Sequence, residues 1–206
     1  MTTATTTVRP PSRFLALLKP GNLLPASVWL FMIFMGLNTP FPPSLPVIGL
    51  VLINSVVLLF LVIRRDPARL GGKMDLAIAL AGTFTVTFLD KRSLDDTKLV
   101  PTIIQLVGLL GWAYALSTLG RSFGLVAADR GLVKHGPYRL VRHPIYAFEI
   151  VFFLGYLAAV PTPRSAVIIG VWVALQCLRI FREERIIDGY SAYAQNVRWR
   201  LIPFVW

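Results

Sequence analysis

Residues 47–63 read VIGLVLINSVVLLFLVI, seventeen residues without a charge. A helix needs about 20 mostly apolar residues to cross a bilayer, so this run predicts a membrane helix that borrows a few flanking residues. Five more apolar stretches accompany it, at 23–37, 76–89, 99–119, 145–160 and 166–180. The weakest is 76–89, where AGTFTVT (81–87) is mildly polar and β-branched. The stretches are separated by readable turns: TPFPPSLP (39–46), RRDPARLGGK (64–73) and PTP (161–163). The pattern predicts an all-α, polytopic helical membrane protein with about five to six transmembrane helices.

Composition points the same way. The 206 residues are 55% hydrophobic and 15% charged, with a mean hydropathy of +0.66. A soluble domain carries roughly a quarter charged residues, so lipid is the better solvent for this chain. The net charge of +11 raises nucleic acid as a partner, but the basic residues lie between apolar runs rather than along one soluble face, which argues against it. With the N-terminus inside and six spans alternating, seventeen of the 21 lysines and arginines fall on inner segments, and only Lys91, Arg92, Lys98 and Arg164 fall outside. That bias places both termini in the cytoplasm. We read one membrane domain: a cytoplasmic tail at 1–22, N-terminal transmembrane helices at 23–119 and a C-terminal half at 120–206 that carries the polar residues. The start, MTTATTTVRPPSRF, has no early apolar core and is not a cleavable signal peptide. The lone cysteine, Cys177, sits in an apolar run and reads as a small buried side chain.

Polar residues concentrate in two places. The first is DRGLVKHGPYRLVRHPIY (129–146), too polar for the bilayer. Gly136-Pro137 marks a turn, and Pro144 suits the first turn of a helix, where its missing N–H is no loss. A helix N-terminus there would favour an anionic group such as an amino-acid carboxylate. The second is LRIFREERIIDGYSAYAQNVRWRLIPFVW (178–206), in which Arg179 and Glu183 share a helical face, as do Arg182 and Ile186 on a neighbouring one and Glu184 and Asp188 as a further i,i+4 set. The plain alternative is a basic headgroup loop followed by a surface helix with weakly paired charges. Charges held near lipid are costly, which favours function at the membrane boundary.

GPYRLVRHPIY (136–146), FREER (181–185), GYSAY (189–193) and RWRLIP (198–203) together resemble the isoprenylcysteine carboxyl methyltransferase family, relatives of the phospholipid N-methyltransferases. The resemblance runs from about Leu119 onward, and the first hundred residues match only as membrane spans. It implies a helical membrane enzyme whose C-terminal loop and helices form a site for S-adenosylmethionine, released as S-adenosylhomocysteine, with a lipid-facing opening for a lipophilic or prenyl-type substrate. Carried onto this sequence, the cofactor contacts are Arg130, Gly131, Leu132, Val133, Tyr138, His143, Pro144, Ile145, Tyr146 and Glu183. Arg179 falls on the substrate side. Near Ala128, where a eukaryotic member has a polar cofactor contact, this chain has only a methyl group.

The residue types suit methyl transfer. Displacement at a sulfonium methyl asks the protein mainly to position the reactants and shape the field. A carboxylate acceptor is already nucleophilic and can be oriented by an arginine such as Arg179. An amine must lose a proton first, and Glu149 is the candidate base; equally, Glu149 reads as a carboxylate bonded to a neighbouring helix. Carboxyl methylation at the cytoplasmic face of a prokaryotic inner membrane is the leading reading. Lipid-amine methylation is second, and a non-catalytic transporter or assembly protein is third. Nearly charge-free span interiors weigh against transport. No glycine-rich nucleotide fingerprint is present, and two histidines with one cysteine make no metal set, so no metal is expected. Gly108, Gly111 and Gly120 read as close helix packing.

Overall fold

The computed structural model describes residues 20–37, 44–89 and 98–206. The N-terminal tail through Lys19, and Lys91 and Arg92 of the outer segment, lie outside the described residues. Each apolar stretch forms a helix: α1 (Pro20–Leu37), α2 (Leu45–Ile63), α3 (Lys73–Thr85), α4 (Leu99–Leu119), α5 (Pro144–Ala159) and α6 (Pro163–Ile186). A short α7 (Tyr190–Asn196) follows, and β1 (Arg69–Leu70) pairs antiparallel with β2 (Ala128–Asp129). The fold is all-α, as the apolar stretches predict.

Among the described residues, Leu45–Ile63, Leu99–Ser122 and Pro163–Ile186 are long and apolar enough to cross a bilayer. Helix α5 is apolar but has 16 residues, bounded by Pro144 and the Pro161–Pro163 turn. At 1.5 Å per residue it covers only about 24 Å. Helix α3 is shorter still at 13 residues and starts on a charged turn, Lys73 and Asp75. The weak 76–89 stretch is therefore a short helix continued by a 3₁₀ turn at Val86–Phe88.

The outer surface is that of a protein solvated by lipid. Leu52, Leu59, Ile103, Val107, Leu110 and Val171 are all exposed, while the interior holds Val57, Leu61, Leu116, Phe152, Tyr156 and Trp172. Polar side chains inside the apolar helices satisfy themselves on the preceding turn. Asn54 donates to Leu50 O at 2.7 Å, Thr83 to Ala79 O at 2.8 Å and Ser55 to Val51 O at 2.8 Å. In a solvent without hydrogen-bond partners this back-bonding is the cheapest arrangement.

Helices α4 and α5 form the closest pair, and glycine makes it possible. A Cβ on Gly108 would stand 2.5 Å from the Phe152 backbone nitrogen, and one on Gly155 would stand 2.8 Å from that of Gln105. Gly111 meets the Phe148 ring in the same way. Gly120 is different: its φ of +52° ends α4, and a Cβ there would meet nothing within 4 Å. The expectation that it packs helices is thus corrected, because left-handed backbone at a helix end selects glycine independently of packing.

Several ties bind the N-terminal half to the C-terminal half, among them an ion pair and a strand ladder. Arg182 grips Asp75 with Nε at 2.6 Å and a terminal nitrogen at 3.1 Å, joining α6 to α3. In the β1–β2 ladder Arg69 stands opposite Asp129, flanked by Ala68 N donating to Asp129 O and Gly71 N donating to Ala127 O.

Candidate active site

The segment after α4 returns across the helix ends and encloses a cavity. Its floor is 122–133, its walls are the first turns of α5, the last turns of α6, and α7, and α1 and α4 contribute Trp29 and Trp112. Its empty space, open mouth included, comes to about 970 Å³.

The strand β2 positions the floor. Asp129 is buried, and its two oxygens accept from Gly131 N and Asp188 N, both at 3.1 Å, so one carboxylate fixes both the loop and the chain leaving α6. Arg130 turns inward beside it. Its guanidinium lies against Gly124, where a Cβ would come within 2.3 Å, and its Nε is buried without a hydrogen-bond partner. Burial, with the charge of Arg64 added, lowers its pKa to about 10, so it remains a cation at neutral pH. Ser122 Oγ donates to Arg130 O at 3.2 Å.

The wall from α5 and α6 carries paired acids and bases. Tyr146 donates a short hydrogen bond to Glu183, and Arg179 lies 5.2 Å from the centre of the Tyr146 ring. Arg179 also donates to Leu125 O at 3.0 Å and to Gln176 at 3.1 Å, and Gln176 in turn donates to Glu149 at 3.0 Å. Glutamine is the side chain for this link: its amide oxygen faces the guanidinium while its amide nitrogen faces the carboxylate. The buried Gln176 thus connects the two ionisable groups of the inner end, Arg179 and Glu149.

Glu184 organises the outer end. It accepts from Arg200 at 3.0 Å and lies 3.1 Å from Arg142, 3.2 Å from His143 Nε2 and 3.3 Å from the Tyr190 hydroxyl. His143 Nε2 lies between this carboxylate and the Tyr190 hydroxyl, which is 2.9 Å from it. The backbone completes the clamp, with Arg142 N donating to Trp199 O and His143 N to Arg200 O. Tyr193 donates to Tyr138 O, holding α7 on the 3₁₀ turn at Gly136–Arg139. Burial raises the Tyr138 and Tyr190 hydroxyls and pushes Tyr193 up to about 12, so all three stay protonated donors.

Of the residues expected in the site, Arg130, Gly131, Leu132, Val133, Tyr138, His143, Ile145, Tyr146, Glu149, Arg179 and Glu183 line this one cavity. Pro144 does not: it occupies the first position of α5 beneath the wall. The i,i+4 pairing of Glu184 with Asp188 does not form, because α6 ends at Ile186 and Asp188 turns to Arg69 at 3.4 Å. Ala128 lines the cavity with its methyl group. Sequence reasoning misses Trp29, Trp112, Gln176, Tyr190 and Tyr193. The tyrosines had a signal in GYSAY; a tryptophan or glutamine inside an apolar run has none. Among the described residues no group of three or more histidine, cysteine or acidic side chains is placed to hold a metal.

Comparison with known proteins agrees with the geometry. The chain is 35% identical over 114 residues to protein-S-isoprenylcysteine O-methyltransferase A of Arabidopsis thaliana. That alignment covers 50% of this chain and 57% of the relative, so only about half of each protein is matched. The phospholipid methyltransferase family matches residues 99–193, from the start of α4 into α7. This segment supplies most of the cavity wall, and it is the part of the chain that is similar to the phospholipid methyltransferase family.

Proposed function

We propose that the protein is a membrane-embedded methyltransferase that uses S-adenosylmethionine to methylate the carboxylate of a lipophilic acceptor at the cytoplasmic face. The donor set fits the cofactor. Arg130, with its unpartnered Nε, suits the amino-acid carboxylate, and Glu183 suits the ammonium. Tyr138, His143, Tyr190, Tyr193 and the apolar Leu132, Val133 and Ile187 suit the nucleoside. When bound, S-adenosylmethionine supplies an electrophilic methyl group for in-line displacement.

The chain's own residues would then do three things. The clamp around Glu184 holds His143 and Tyr190 against the cavity. Arg179, supported by Leu125 O, Gln176 and the Tyr146 ring, orients an acceptor carboxylate with its remaining N–H groups. The apolar surroundings exclude water and strengthen those contacts. Arg179 is the observation that carries the carboxylate reading, since a carboxylate needs orientation but no general base.

The second reading is N-methylation of a lipid amine, as the family's description suggests, and Glu149 favours it because a carboxylate within the cavity can take the amine's proton. Purified protein given methyl-labelled cofactor, a prenylcysteine analogue and phosphatidylethanolamine side by side separates the two. The carboxyl reading expects label released as methanol in base. Label stable to base in the phospholipid establishes the amine reading instead, and absence of cofactor binding removes both.

A further inference from the structure

Six buried side-chain nitrogen or oxygen atoms among the described residues have no hydrogen-bond partner: Trp29 Nε1, Ser44 Oγ, Gln105 Oε1, Trp112 Nε1, Arg130 Nε and Arg142 Nε. Four of the six belong to residues lining the one cavity, and all four are N–H donors. A buried donor left unpaired is costly, so each such group calls for an explanation, and a ligand that completes it is one. The arginines are accounted for, Arg130 by an anionic cofactor group and Arg142 by a guanidinium whose terminal nitrogens Glu184 and Arg198 O already hold in place. The two tryptophans are not. Trp29 and Trp112 are 9% and 7% exposed, come from different helices, and line the same cavity as Arg179 and Glu149. Trp112 lies seven residues before the end of α4, and Arg179 seven before the end of α6. Both therefore sit about 10 Å into their helices.

We propose that the indole N–H groups of Trp29 and Trp112 bind the carboxylate of the methyl acceptor, one N–H to each oxygen, and so select oxygen acids over amines. This rests on the methyltransferase reading of the same cavity. The selectivity follows from lone pairs. A carboxylate oxygen can accept from an N–H and still hold a lone pair for the methyl carbon. An amine nitrogen has one lone pair, and a donor that engages it blocks the reaction; a protonated amine meets the donor with its own N–H groups. A site built on donors rejects a ligand lacking the matching oxygen far more strongly than an apolar site rejects a misfit. Trp29 also lies outside the family-matched segment, so acceptor choice is set partly by the N-terminal half.

The test uses the full chain with Trp29→Phe and Trp112→Phe, which keep an aromatic ring and remove the N–H. Methyl-ester formation on an N-acetyl-S-prenylcysteine should fall about ten-fold or more in kcat/KM for each variant, with the dissociation constant for S-adenosylmethionine unchanged within two-fold. Unchanged ester formation, or equal losses in cofactor binding and turnover, overturns the proposal. Should either variant fail to fold, competition in the wild-type protein decides. The prenylcysteine acid should outcompete the matching prenyl cysteamine, which lacks the carboxyl group; equal inhibition overturns the proposal. Ester formation that both variants retain at the wild-type rate removes the tryptophan role alone. Methylation of phosphatidylethanolamine with none of the acid removes the carboxyl reading and this inference together.

Discussion

Glu184 shows how much one side chain can carry. Its carboxylate faces Arg142, Arg200, His143 and Tyr190, and its side chain is 12% exposed. Removing one member of a buried charge cluster strands the others, typically at about 3–5 kcal/mol. Glu184→Ala should therefore destabilise the fold by about 3 kcal/mol, read by thermal unfolding in detergent, while Glu184→Gln recovers part of that loss through the hydrogen bonds it keeps. Arg130 gives a second expectation. Its pKa is lowered to about 10 by burial, so its cation is present below that pH and disappears above it. Affinity for S-adenosylmethionine should hold from pH 7 to 9 and decline through pH 10 to 11, and Arg130→Met should be weak throughout with that decline removed. A wild-type curve flat to pH 11 would show that Arg130 is not the anchor. The motif residues were legible at this scale because loops of unusual polarity stand out against apolar spans. Gln176 was not, since a neutral amide inside an apolar run announces neither its buried position nor the two charges it connects.

Among the elements, the α4–α5 contact is the most sensitive. Gly108→Ala places a Cβ 2.5 Å from the backbone of Phe152, which cannot swing aside as a side chain can. Overpacking of this kind costs about 1–3 kcal/mol, and because α5 begins at the cavity wall, cofactor affinity should fall with stability. Gly170→Ala on α6, with nothing within 4 Å, should be neutral or gain a few tenths to about 1 kcal/mol from helix propensity. Matched melting curves of the two variants check the contrast. The six apolar stretches foretold six helices nearly to their ends, since hydrophobic runs and prolines are local signals. Which helices reach the length of a bilayer was less legible. Borrowed flanks make any run look long enough, yet Pro144 and Pro161 leave α5 at 16 residues, and the Asp75–Arg182 pair holds the start of α3 at a polar end of α6.

At the scale of the whole molecule, the excess of lysine and arginine on alternate segments still predicts that both ends lie on the cytoplasmic side. Paired reporters fused at the C-terminus, one active only inside and one only outside, read this directly, and activity of the outside reporter alone would reverse the assignment. The family-matched segment begins at residue 99, which invites a picture of an enzyme hung on a separate anchor. The ladder between β1 and β2 contradicts that picture: Ala68, Arg69, Leu70 and Gly71 edge the strand that presents Arg130. Trp29 and Asp75 also come from before residue 99. A chain severed ahead of Leu99 should accordingly behave as two complementing fragments, each inert by itself, that recover cofactor binding when co-expressed in one membrane.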